Sequence, residues 1–306
     1  MPVIEINAID GVATGSGRAG LSTALRDLSP GAPVIVLVHG YKYSPRLPAS
    51  DPHQLLYALK PLRGGRTLSW PRHLGFGRGA AREGLCIAFG WHARDTIWHA
   101  AGAARAAGET LADVIVEVRR HHRGPVDLFA HSLGARVALS GLHHLRAGDI
   151  GRMILLSGAE FRAQARNAVG TSAGRHAEIV NIISRENDLF DLLFERLLQP
   201  PTRFDTAIGT GLPDAPDRWH DLRIDDDATR SALKSLGFRI PPPKRTFCHW
   251  SGYMRPGLFA LYTAILRDRL CLRTLSAALP APAPQRAPRL VPREMPPLPL
   301  LRNASS

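Results

Sequence analysis

Residues 126–139 read VDLFAHSLGARVAL. The first six residues are apolar enough for a strand, and the residues from Leu133 onward have helical composition. Between them stands Ser132. A strand that turns sharply into a helix at a serine reads as a nucleophile elbow, which lifts the hydroxyl above the sheet. The turn brings backbones close together, so the positions two before and two after the serine must be small. Here they are Ala130 and Gly134. The helix also aims its N-terminus at the hydroxyl, which favours charge developing there.

Working outward, strand-like and helix-like stretches alternate. PVIVLVHG (Pro33–Gly40) and LCIAFGW (Leu85–Trp91) are continuous apolar runs, typical of strands buried on both faces. RMILLSGAE (Arg152–Glu160) and EIVNIIS (Glu178–Ser184) are two more. VIEINAI (Val3–Ile9) alternates, as an edge strand does. Ser22–Leu28, Thr96–Arg120 and Leu133–Leu145 are helical candidates, the second stopped by Gly124 and Pro125. A last helix is expected from Pro256 through LFALYTAILRDRL. This rhythm predicts an α/β fold with a mostly parallel central sheet and helices on both faces.

Residues 191–244 carry Pro, Gly and Asp clusters and only short helical candidates, around Leu192–Leu198 and Thr229–Leu236. They are expected to form a substrate-covering insertion within a catalytic domain spanning residues 1–278. Residues 279–306 are rich in Pro and Arg and are expected to be an extended or disordered tail.

The buried run at Pro33 ends in His39-Gly40, well ahead of the serine. At such a place backbone N–H groups can meet a developing oxyanion. Gly40 lets the backbone turn in close, and His39 reads as an orienting hydrogen-bonder. The amides of Tyr41 and Leu133 are the expected donors.

HGYKYSP, the FGW of Phe89–Trp91, the Ala/Arg-rich helix and LFAHSLGARVAL together resemble the α/β-hydrolase superfamily, over roughly residues 33–260. Within it the likeness is to a bacterial branch of largely uncharacterised esterase/lipase-like serine hydrolases. Gly90, His92 and Leu133 depart from that branch's usual pattern, and Ala130 stands where a nucleophile elbow usually has glycine. The resemblance implies the order Ser, acid, His along the chain. It places the acid after the strand at Glu178–Ser184, where Asp188 fits and Glu186 and Asp191 are rivals. It places the base at His249 in CHWSGY, with His220 as rival. The implied activity is cleavage of a carboxylic ester, thioester or lactone through an acyl-enzyme on Ser132. Acyl transfer from the same site and a catalytically inactive binding module are the alternatives.

The 306 residues contain three scattered cysteines and neither a CxxC nor an HExxH spacing. Neither a disulfide framework nor a metal site is expected, and no cofactor is implied. The first residues lack the pattern of a signal peptide, and no apolar run is long enough to span a bilayer. A cytoplasmic protein acting on a small acyl ester is the expectation. The net charge of +13 leaves room for weak binding to an anionic surface. The arginines are dispersed without aromatic interleaving, so a nucleic-acid partner is not expected.

Overall fold

A computed structural model describes residues 2–60 and 68–280. The Pro/Arg-rich tail beyond residue 280 lies outside the described residues. Eight strands are present among them: β1 (Val3–Ile9), β2 (Val12–Thr14), β3 (Val34–Val38), β4 (Leu85–Trp91), β5 (Val126–His131), β6 (Ile150–Leu156), β7 (Glu178–Ile183) and β8 (Trp219–Arg223). The α-helices are α1 (Leu21–Arg26), α2 (Pro52–Leu55), α3 (Trp70–His73), α4 (Ile97–His121), α5 (Leu133–Gly141), α6 (Arg162–Val169), α7 (Asp188–Leu197), α8 (Asp227–Ser235), α9 (Ser251–Met254), α10 (Leu258–Leu266) and α11 (Leu272–Ala278).

The strands form one sheet in the order β2-β1-β4-β3-β5-β6-β7-β8. Every pairing is parallel except β1 with β2. The chain moves from β3 to β4 on one side and then crosses back to β5 on the other. The loops leaving β3 and β5 therefore adjoin at the carboxyl edge, where the strand order reverses and open α/β sheets place their ligands.

Alternation along the strands splits the core in two. Val34, Val36 and Val38 join α1, α4, α5 and α6 on one face. Ile35 and Leu37 join Trp70, Leu233 and the α10 residues Leu258, Leu261 and Ile265 on the other. On α4, Ala100, Ala104, Ala107, Leu111, Ile115 and Val118 are buried, a stripe at helical spacing. Its alanines let the helix lie close, and each larger residue contributes about 1.5–3 kcal/mol of burial.

Several expectations need correction. β1 is not the edge strand. Asp10 and Gly11 take φ of 51° and 77°, the left-handed pair that closes a two-residue hairpin. That turn lays β2 outside β1. Residues 191–244 are also more than a covering insertion: they supply β8, which pairs with β7, and α8, which seats Leu233 in the core. Pro256 does not open the last long helix; Gly257, at φ 87°, comes between it and α10. Among the described residues no helix is long and apolar enough to cross a membrane.

Candidate active site

Ser132 sits between β5 and α5 with φ 55° and ψ −126°, a strained conformation for a residue with a Cβ. The turn is held on three sides. Ser132 N–H donates to Leu156 O at 3.0 Å, and its own carbonyl accepts from Ala135 N–H at 2.9 Å and Ala159 N–H at 3.0 Å. The small-residue requirement has a visible cause. A Cβ on Gly134 would stand 2.5 Å from Val38 O and 2.7 Å from His39 O. A Cβ on Gly40 would stand 2.6 Å from Ser132 Cβ and 3.2 Å from its Oγ. The loop leaving β3 thus packs directly on the serine side chain. A strained serine at the strand-to-helix turn, at the centre of a doubly wound parallel sheet, decides the architecture. The chain has the α/β-hydrolase fold.

No protein-family model and no curated protein matches the chain. Among solved structures it is similar to the crystal structure of Aspergillus fumigatus lipase B, at 14% sequence identity and a TM-score of 0.41. That match covers 82% of this chain and 58% of the other, so the chain spans less than two thirds of that protein's length.

In this hydrolase fold His39 is fully buried. Its Nδ1–H donates to Gly40 O at 2.9 Å, and its Nε2 accepts from Trp91 N–H at 3.1 Å. Both bonds suit one neutral tautomer. Burial drives the ring's pKa down to about 3, so it stays neutral. The indole of Trp91 stacks on it, 9° from parallel, and donates to His39 O at 2.9 Å. The Gly40–Tyr41 peptide is trans, so holding its carbonyl against His39 sends the Tyr41 N–H the opposite way. Neither Tyr41 N–H nor Leu133 N–H donates a hydrogen bond among the described residues. Leu133 is the first residue of α5, whose opening N–H groups lack helical acceptors.

His249 lies beside the elbow. Its ring packs against His131, the residue before the serine, with centroids 4.7 Å apart, and stacks on Phe190 on another side at 4.8 Å. His131 Nε2–H donates to His249 O at 3.1 Å. Burial, with His131 adding to it, holds the His249 ring well below the usual imidazole range. Among the described residues, Ser132 Oγ makes no hydrogen bond to the His249 ring. In substrate-free sites such bonds are commonly long and tighten in the reacting complex.

The partner of His249 is Asn187, not Asp188. The His249 Nδ1–H donates to Asn187 Oδ1 at 2.7 Å. Asp188 turns to Arg185, its Oδ2 3.8 Å from the guanidinium, and opens α7, where a carboxylate suits the helix N-terminus. Burial and then Asp225 push its carboxyl up to about 6. Of the two rivals, Glu186 forms a buried ion pair with Arg255, while Asp191 accepts from Asn187 Nδ2–H at 2.9 Å. Cys248 N–H donates to Glu186 O at 2.8 Å. This bond and the Glu186–Arg255 pair bind the loop after β7 to the segment carrying His249. His220 sits near the start of β8 in register with Val180, away from the carboxyl edge.

Sequence reasoning missed Asn187. The available signal was the Asn187/Asp191 pair, one helical turn apart at the start of α7. Among the described residues no group of three His, Cys, Asp or Glu side chains could hold a metal ion.

Proposed function

We propose that the chain is a serine hydrolase cleaving carboxylic esters through an acyl-enzyme on Ser132. The observation that carries this reading is the strained Ser132 turn with the Gly40–Tyr41 peptide packed on its side chain. Such strain persists only where surrounding structure imposes it, and it clusters at active sites. His249 is the base. Asn187 accepts its Nδ1–H, which leaves the Nε2 lone pair to take the proton from Ser132 as Oγ bonds to the carbonyl carbon. The Tyr41 and Leu133 amides receive the oxyanion. Collapse breaks the ester C–O bond, and His249 returns the proton to the departing alcohol. Water then repeats the sequence on the acyl-enzyme, releasing the acid and restoring Ser132.

Exposed apolar side chains on α4, on α7 and beside His249 suit an apolar acyl group. Trp98, Leu193, Leu197 and Trp250 are exposed. The Trp98 indole donates to Leu197 O at 2.6 Å, joining the start of α4 to the end of α7. Trp91, by contrast, is part of the core. Fluorophosphonate labelling and turnover of chromogenic esters of increasing acyl length, in wild type and Ser132→Ala, test the reading. Labelling and turnover that vanish in Ser132→Ala support it. Equal labelling of both overturns it.

A further inference from the structure

A serine–histidine pair supported by an asparagine faces a specific difficulty. An amide has one accepting and one donating end. If it rotates by half a turn, it presents N–H to the histidine, which must then carry its proton on the nitrogen facing the serine. The ring cannot accept the serine proton in that tautomer. Replacing the triad aspartate by asparagine in a serine protease leaves the geometry intact yet lowers kcat by about 10⁴, through the wrong tautomer. Asn187 in this chain has a second neighbour that bears on this. Its Nδ2–H donates to Asp191 Oδ1 at 2.9 Å while its Oδ1 faces His249 at 2.7 Å.

We propose that Asp191 is a positioning residue for the reaction: it locks the Asn187 amide with its oxygen toward His249 and so fixes the histidine in its Nδ1–H tautomer. This rests on the serine hydrolase reading of Ser132 and His249. Asn187 and Asp191 are both buried, at 2% and 4% exposure, so water does not compete for either end of the amide. A rotated amide would set its oxygen against the carboxyl oxygen and its N–H against the His249 ring. Burial holds the Asp191 carboxyl well above the usual carboxylate range, so the lock requires Oδ1 to stay the accepting oxygen, as in a carboxylate or in a carboxyl that carries its proton on Oδ2. The fold reserves the place. A side chain at Gly209 would collide with the Asp191 carboxyl. Asp191 Oδ2 has no hydrogen-bond partner among the described residues. Keeping a carboxyl at such a place costs stability, and orienting the amide is the work its Oδ1 performs.

Asp191→Leu removes the acceptor at nearly constant shape. The expected result is a fluorophosphonate labelling rate and an ester kcat lowered about 10²–10⁴-fold, with KM within a few-fold of wild type. Asn187→Asp added to Asp191→Leu should restore both rates to within about tenfold of wild type, because a carboxylate accepts from Nδ1–H whichever way it is turned. A folded Asp191→Leu that labels at the wild-type rate overturns the proposal. So does a loss that Asn187→Asp fails to recover, since damage to packing would not be repaired there. Should Asp191→Leu not fold, long-range 1H–15N spectra of the wild-type ring nitrogens decide. Neutral His249 protonated at Nδ1 supports the lock, and protonation at Nε2 overturns it. A wild type that is not labelled at all refutes the hydrolase reading instead and leaves the tautomer spectrum to judge Asp191.

Discussion

Gly40→Ala separates the stability of the fold from the working of the site. The added Cβ would stand 2.6 Å from Ser132 Cβ, 2.8 Å from His131 O and 3.2 Å from Ser132 Oγ. Ordinary carbon contacts lie near 3.5–4.0 Å, so something must move by about 1 Å. The serine side cannot move, because β5 is paired to β3 and β6 and the turn is bonded to Leu156 and Ala159. The loop beyond Gly40 must withdraw and take the Tyr41 N–H with it. Overpacking costs about 1–3 kcal/mol, and exchanging glycine for alanine returns about 0.4–1 kcal/mol through the unfolded chain. The expected loss of stability is therefore about 2.6 kcal/mol or less. Withdrawing one oxyanion donor costs about 10²–10³ in kcat. Gly102→Ala is the control. Gly102 lies inside α4, and a Cβ there meets nothing within 4 Å, so it should gain about 0.5–1 kcal/mol with unchanged turnover. Thermal melts and chromogenic ester kinetics on the three proteins suffice. Gly40→Ala that melts cooperatively and turns over at the wild-type rate would refute the argument.

Ser132→Gly should be more stable than Ser132→Ala by about 1 kcal/mol, since glycine alone relaxes at φ 55°; denaturant melts compare them, and equal midpoints would show an unstrained turn. Acid should unfold the protein through its buried rings. Burial holds His39 at about 3, with His53 and His131 adding to the depression, and His131 at about 4, against about 6.5 in an unfolded chain. The unfolded state takes up these protons first. Stability is therefore complete above about pH 6.5 and falls as pH drops toward 4, by up to about 1.4 kcal/mol per pH unit for each ring. His131→Phe should flatten that slope between pH 6.5 and 4, and parallel slopes for variant and wild type would count against the assignment.

The parts of the fold that could be read from the sequence were those with one physical solution. VIVLV has no polar residue to expose, so a strand buried on both faces is the economical reading, and all five residues of β3 are buried. The elbow was legible because close backbone approach forces small residues at 130 and 134. What escaped depended on partners. β8 reads WHDLR, with only Trp219 and Leu222 buried, because an edge strand needs few apolar residues. The third site residue was missed by one position for a similar reason. A short 3₁₀ turn at Arg185–Asn187 sets which side chain meets His249. Asn187 and Asp188 differ little in size and local preference, so composition alone does not choose between them.

That one-residue difference shows how the chain divides the labour of its buried polar groups. His39, His131 and His249 crowd one end of the sheet, and burial lowers the pKa of all three. Only the bonds around them separate their roles. His39 spends both ring nitrogens on backbone, at Gly40 and Trp91, so it can shape the loop after β3 but has no nitrogen free to carry a proton. His131 holds the His249 carbonyl through Nε2 and is confined by Trp70 and Tyr253. His131 and His249 each have one ring nitrogen bonded and the other without a hydrogen-bond partner among the described residues; His249 differs in that its bonded nitrogen is Nδ1, given to the Asn187 side chain, which leaves Nε2 with the lone pair. A general base needs that asymmetry: one nitrogen fixed so that the other presents a lone pair. On the serine hydrolase reading, the reaction rests on which nitrogen of His249 keeps the lone pair, which sequence position alone does not reveal and the hydrogen bond to Asn187 does.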